Sequence, residues 1–221
     1  MGRLVHYTGN DIYDLLKNEI LTLSLKPGQM ISENEISSRF HVSRTPVHNA
    51  FTQLKKDGFV DIVPQKGTIV SLIDLDYIRQ ILYLRCCVEI NIYIEAMDLC
   101  DDSFYRMLQN KIEEQRRITD NESETVKSFY EMTDEFHSAF YDILNKNKLW
   151  QTVSNLQNDY FRFRNLIMQS KTQRQKACEE HMLILEAVKN KNIEEVKRLV
   201  PIHLNSPLEL NDTASYQEYF Y

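Results

Sequence analysis

Residues 31–70 read ISENEISSRFHVSRTPVHNAFTQLKKDGFVDIVPQKGTIV. Ser32 followed by Glu35 is a capping box, in which a hydroxyl and a carboxylate each satisfy an orphan amide at a helix start, and Ile36 and Phe40 then face inward. Thr45-Pro46 opens the next helix, because a proline at the first helical position gives up an N–H that has no intrahelical partner anyway. Val47, Ala50, Phe51 and Leu54 follow at i, i+3, i+4 and i+7, and Asp57-Gly58 ends the run. Two β-rich stretches, FVDIV and TIVSL, then flank the turn PQKG and predict a hairpin. Upstream, Ile12, Leu15, Leu16, Ile20 and Leu23 lie on one helical stripe that ends at LKPGQ. Three helices, the last two joined by a tight turn, and a closing hairpin are the order of a winged helix-turn-helix.

Arg44 stands at the start of the third helix, beside the positive end of its dipole, where charge compensation calls for an acid instead. Its use therefore lies outside the chain. In a helix-turn-helix this helix end enters the major groove, where arginine reads guanine through two hydrogen bonds. Ser43 and Thr45 add hydroxyls for phosphates, His48 lies one turn further along the same face, and Lys66-Gly67 at the hairpin tip reaches backbone or minor groove.

The whole chain of 221 residues has a formal net charge of -6, which argues against nucleic acid until its distribution is read. Residues 1–73 hold eight Lys/Arg against seven Asp/Glu, whereas residues 74–221 hold 18 against 25, so the two parts carry +1 and -7. All five glycines lie in the first part, and the 154 residues after Gly67 predict helices with short polar joins. The expected domains are 1–73 and 76–210, followed by a tail at 211–221. The sequence shows no apolar run long enough to span a membrane and no signal-peptide core, which points to the cytoplasm. Four cysteines without CxxC spacing read as reduced packing thiols.

The motif from residue 31 to 70 resembles the DNA-binding domain of GntR-type bacterial transcription regulators, and the likeness covers residues 12–72. It implies DNA contacts at Arg39, Arg44, Thr45 and Gly67. Two positions depart from the pattern. His41 stands where the turn usually has glycine, a left-handed position that histidine tolerates better than bulkier residues. His48-Asn49 replaces an arginine-glutamate pair, which alters the operator that can be read.

Apolar stripes in the glycine-free part predict helices near 76–99, 103–117, 126–145, 149–168, 172–189 and 193–205, giving a mainly α protein with an all-helical C-terminal bundle. His137 shares a face with Phe140, Tyr141 and Leu144; His181 with Ala177, Ile184, Leu185 and Val188; His203 with Val196, Leu199 and Val200. Three inward imidazoles on separate helices predict a site for Zn, Ni, Mn or a similar ion, with Asp134, one turn before His137, as the most economical fourth ligand. The chain contains no HExxH, so a metalloprotease base is missing.

LYLRCCVE, DEFH, EEHMLILEAV and RLVPIHL, in this order, resemble the C-terminal effector domain of the FadR subgroup of the same family. The resemblance implies a metal held by His137, His181 and His203, with the carboxylate position of metal-containing members falling on Thr133 and Asp134 offset by one. It also puts Arg85 near the pocket, where a guanidinium offers a carboxylate effector paired donors, against the alternative of an i,i+4 pair with Glu89. In YFRFR, Arg164 is expected to face inward rather than Arg162. Pro201 is expected to disturb the last helix near His203. Together these readings describe a homodimeric regulator of palindromic DNA, controlled by a divalent metal and a small organic acid. The rivals are a metal-dependent enzyme on the histidine cluster and a direct metal sensor.

Overall fold

The computed structural model describes residues 7–63, 67–121, 126–155, 158–208 and 216–221. The chain forms two compact units, the first running to Leu75 and including the described C-terminal residues 216–221, the second beginning at Asp76.

The first unit is built from α1 (Gly9–Leu21), α2 (Glu33–Phe40), α3 (Arg44–Lys56) and a sheet of β1 (Met30–Ile31), β2 (Val60–Val63) and β3 (Gly67–Val70). The full reciprocal capping box sits at α1, where Thr8 and Asp11 satisfy each other's amides. At α2 the Ser32 hydroxyl accepts from the Glu35 amide at 3.1 Å. Gly9 permits close packing of α1 on α3, because a Cβ there would stand 3.2 Å from the Pro46 carbonyl oxygen. Ile12, Leu16 and Ile20 meet Ile36, Val47, Ala50, Phe51 and Leu54 in one core.

The expected stripe on α1 is narrower than read. Leu15 is 38% exposed, and Leu23 lies beyond the helix in a left-handed conformation, so Leu25 takes the next buried place. The hairpin pairs Val60 with Val70 and Val63 with Gly67. A third strand, β1, was not legible in the sequence. At two residues it is too short to show a period, and it pairs with β3 across Met30–Ile69 and Ile31–Thr68.

His41 adopts φ 53 and ψ 43, the left-handed cap expected of it. The amide of Val42 donates to the Ser37 carbonyl at 3.1 Å, closing a Schellman turn, and Val42 packs on the core.

The second unit contains α4 (Leu75–Ala96), α5 (Asp102–Asp120), α6 (Val126–Ile143), α7 (Asn147–Asn155), α8 (Asn158–Ile167), α9 (Lys171–Lys189) and α10 (Ile193–Asn205), the last followed by a 3-10 turn at Ser206–Leu208. The single helix expected at 149–168 is two helices, α7 and α8. α10 runs through Pro201, whose carbonyl accepts from Asn205 Nδ2 at 2.8 Å. α5 packs on α6 and α9, and α9 on α10. No helix among the described residues is long and apolar enough to cross a membrane.

The C-terminal residues, expected to form a separate tail, join the first unit. Ile73 donates to the Tyr219 carbonyl at 2.8 Å and forms a parallel bridge with Phe220. Ile73 itself is fully buried.

The turn at His41 generates a stability test. His41→Val should cost about 1–2 kcal/mol, because a β-branched side chain suffers most from positive φ, whereas His41→Gly should leave the melting temperature unchanged or higher. Equal melting curves for the valine variant and the parent would contradict this account of the turn.

Candidate functional site

Two surfaces carry chemistry, one in each unit. In the first, α3 begins with Ser43 as N-cap and has no acidic residue in its first turn, so its free amides and positive dipole end face outward. Ser43, Arg44 and Thr45 are all exposed, and no acidic partner for Arg44 occurs among the described residues. The other sites expected to touch DNA differ. Arg39 is engaged within the unit: both terminal nitrogens of its guanidinium bind the two oxygens of Glu19, and it lies over the Phe40 ring at 5.0 Å. His48 is exposed, and its Nδ1 lies 2.8 Å from Glu33 Oε1. Gly67 opens β3 at φ 110, a conformation that glycine supplies without strain. Lys66 lies outside the described residues.

In the second unit, α6, α9 and α10 bring His137, His181 and His203 together, with one potential ligand atom from each lying within 4.8 Å of the others. His137 is 2% exposed and His181 fully buried. Each ring is held through Nδ1. That of His137 lies 2.6 Å from the Tyr93 hydroxyl and 3.0 Å from Glu89 Oε2; that of His181 lies 2.9 Å from Gln115 Oε1; that of His203 lies 2.8 Å from Glu180 Oε2. Carboxylate and amide oxygens only accept, so each Nδ1 bears the proton and each Nε2 keeps its lone pair. His137 Nε2 and His203 Nε2 are 3.5 Å apart, and His181 Nε2 is buried without a hydrogen-bond partner. Two bare lone pairs at that separation repel. A divalent cation would satisfy all three, since a tetrahedral zinc site with bonds of roughly 2.05 Å separates its ligand nitrogens by about 3.4 Å.

The expected fourth ligand is not among this set. Asp134 Oδ1 instead accepts from Arg164 Nη1 at 3.0 Å, and the Thr133 hydroxyl donates to the Phe129 carbonyl at 3.0 Å. The cluster therefore consists of three imidazoles, with no carboxylate among them.

Beside them lies a cavity of about 30 Å³ whose walls include Arg85, Thr133, His137, Tyr160, Arg164 and His203. Space of that size admits about two or three waters. Arg85 is 2% exposed; Nε donates to Glu89 Oε1 at 2.6 Å and Nη1 to the Tyr160 hydroxyl at 2.7 Å, while Nη2 is buried without an acceptor. Arg85 thus forms the i,i+4 pair with Glu89, and its Nη2 is left as an unused donor. Arg164 is 5% exposed and stacks at 4.3 Å over the Tyr130 ring. Arg162, expected to face outward, is also buried, and its Nη2 meets Asp159 at 2.5 Å.

Sequence reading missed Gln115, Glu180 and Tyr93 as the groups that orient the imidazoles, and saw Glu89 only as a partner for Arg85. A faint signal existed for Gln115, a polar residue on the buried stripe Ile112–Gln115–Ile118 of α5.

Burial would raise the Glu89 carboxyl, but the charge of Arg85 and the contact with His137 hold it well below the usual carboxylate range. Burial likewise dominates at the histidines. It draws His137 down to about 4 against the pull of Glu89, and His181 well below its ordinary value, helped by the two neighbouring rings.

A winged helix with an outward-facing arginine and a separate helical unit carrying a histidine cluster define the class of a DNA-binding regulator. Residues 8–70 match the family described as "Bacterial regulatory proteins, gntR family", and residues 80–206 match the "FCD domain". The chain belongs to this family: it is a GntR-family transcriptional regulator with an FCD domain. Among its relatives is the "HTH-type transcriptional repressor RspR" of Escherichia coli (strain K12), 28% identical over 193 residues, or 87% of this chain and 84% of that protein. The fold is shared with E. coli McbR/YncC, at TM-score 0.63 and 18% identity over 99% of this chain and 100% of that one. A GntR-type regulator from Rhodococcus sp. RHA1 matches it at TM-score 0.63 and 19% identity, covering 96% and 99% of the two chains.

The depressed histidines fix the sign of an acid response. They are neutral in the folded, metal-free protein, whereas the unfolded chain takes up their protons from about pH 6.5 downward. Their contribution is intact above pH 6.5 and declines toward pH 5 by up to about 1.4 kcal/mol per pH unit for each ring. Denaturant unfolding of chelator-treated protein across this interval should show the slope, and the double variant His137→Gln, His181→Gln should flatten it.

Proposed function

We propose that this regulator is a repressor that binds a palindromic operator as a homodimer, and that a divalent metal and a small carboxylate-bearing effector in the second unit set its affinity for DNA. The observation that carries the metal-dependent part is the convergence of three Nε2 lone pairs whose Nδ1 positions are each occupied by an acceptor, an arrangement with no use in simple core packing. The bound ion would supply positive charge and open coordination positions for a carboxylate oxygen. Arg85 would offer its remaining Nη2 donor to the same anion, and Arg164 a second cation at the cavity wall. Since the clustered ligands are neutral, an anionic effector would also balance the metal charge.

On the DNA side, Arg44 would read a base from the open end of α3, with Ser43 and Thr45 on phosphates and His48 one turn deeper. Gly67 would let the wing approach the backbone. Repression as the sign is supported by the name of the E. coli relative. An effector changes this affinity only through its unequal binding to two forms of the dimer, and the operator must then weaken or strengthen effector binding in equal measure. The small cavity favours a second reading, direct metal sensing, in which the ion alone acts.

Two experiments test this reading. Arg44→Ala should weaken operator binding by about 1–3 kcal/mol per half-site without shifting the melting temperature, because its side chain has no role inside the unit. Unchanged affinity would remove α3 as the reading helix. Chelation should lower the melting temperature of protein purified without added chelator, and each of His137→Ala, His181→Ala and His203→Ala should abolish most of that response. Operator titration of the metal-loaded protein with and without small organic acids then separates the two readings. A switch produced by metal alone selects direct sensing, and protein that stays metal-free after reconstitution excludes both.

A further inference from the structure

Arg44 and His48 are one helical turn apart on the exposed face of α3, and they are not equivalent. Arg44 has no acidic partner among the described residues. His48 has one: its Nδ1 lies 2.8 Å from Oε1 of Glu33, the first residue of α2. Glu33 stands in the first turn of that helix, where the dipole favours a carboxylate and helps to hold it.

A carboxylate has lone pairs and no proton to give, so the proton of this hydrogen bond belongs to Nδ1. In the neutral ring Nε2 is then a bare acceptor pointing away from Glu33. Arginine or lysine on the same face offers only donors, which match O6 and N7 of guanine. An acceptor matches the amino groups of the major groove instead, N6 of adenine and N4 of cytosine.

We propose that Glu33 is a positioning residue that presents His48 to the major groove as a hydrogen-bond acceptor, so that the operator base facing His48 is adenine or cytosine rather than guanine or thymine. The inference rests on α3 being the reading helix. It adds a polarity to the half-site, with a base chosen by donors at Arg44 and a base chosen by an acceptor one turn on.

The test is selection of operators from a randomised duplex pool by the full chain at pH 8.5, above the ordinary titration range of an imidazole. Wild type is compared with His48→Ala, His48→Arg, Glu33→Ala and Glu33→Gln, each first checked for an unchanged thermal melt. Wild type should favour adenine or cytosine at one position per half-site by about five- to tenfold, the discrimination of a single good hydrogen bond. His48→Ala should flatten that position alone, and His48→Arg should convert it to guanine. Glu33→Ala should reduce the preference to below about threefold, while Glu33→Gln should retain it, because the amide oxygen also accepts from Nδ1–H. The Arg44-dependent position should be the same in all five proteins.

Guanine or thymine at the His48-dependent position of wild type would overturn the proposal. So would an undiminished preference in Glu33→Ala, or equal loss in Glu33→Gln, which would mean that charge rather than hydrogen bonding matters. An operator enriched with no position sensitive to His48 refutes this inference alone, whereas failure to enrich any sequence refutes the recognition-helix reading beneath it.

Discussion

A buried carboxylate organises the helical unit. Glu89 is fully buried, and a charge in that position is tolerable only if every lone pair is met. Arg85 binds one of its oxygens, and the Tyr93 hydroxyl and His137 Nδ1 approach the other. These contacts tie α4 to α6, and through the Arg85–Tyr160 hydrogen bond to α8. The same requirement orients the first imidazole of the cluster. Because Glu89 must be satisfied, His137 turns its Nδ1 toward that carboxylate and its Nε2 toward His203. The orientation of this imidazole is thus a by-product of neutralising a charge, and any change at Arg85 acts on the cavity wall and on the histidine cluster together.

The DNA-reading unit works by the opposite rule. Its guanidinium at Arg39 is clamped by Glu19, and Tyr13 reaches Asp57 at 2.6 Å, so α1 is locked to the ends of α2 and α3. Arg44 is left out of this scheme, and the first turn of α3 contains no acid to neutralise its dipole. What the fold does not satisfy internally is left at an exposed helix start whose dipole favours anions. The left-handed turn at His41 holds α2 and α3 in this relation, with Val42 driven into the core directly before the exposed end of α3.

Much of the site was legible from spacing. The histidines could be phased because each lies on a long apolar stripe, and a period of 3.6 residues fixes which face is buried whatever the neighbouring helix. Spacing could not say where Asp134 points. That is decided by Arg164, thirty residues on in another helix, whose burial demands a carboxylate. The acceptors behind the imidazoles were hidden for the same reason: Gln115 and His181 are 66 residues apart, and nothing local links them. Arg162 departs from the expectation because arginine is ordinarily exposed, and its ion pair with Asp159 is part of what makes its burial tolerable. The short β1 strand and the docking of residues 216–221 at Ile73 depend on pairing across the chain, which leaves no periodic trace.

Local rules alone determined the winged helix, the helical bundle, the left-handed cap at His41 and the inward faces of three histidines. Backbone sterics, capping and hydrophobic period act over a few residues and are written in sequence order. The three-imidazole cluster without Asp134, the tautomers behind it, the Arg85 donor at the cavity and the Glu33–His48 pair were decided only when distant helices met. Side-chain hydrogen bonds act over about 3 Å in space and carry no record of separation along the chain.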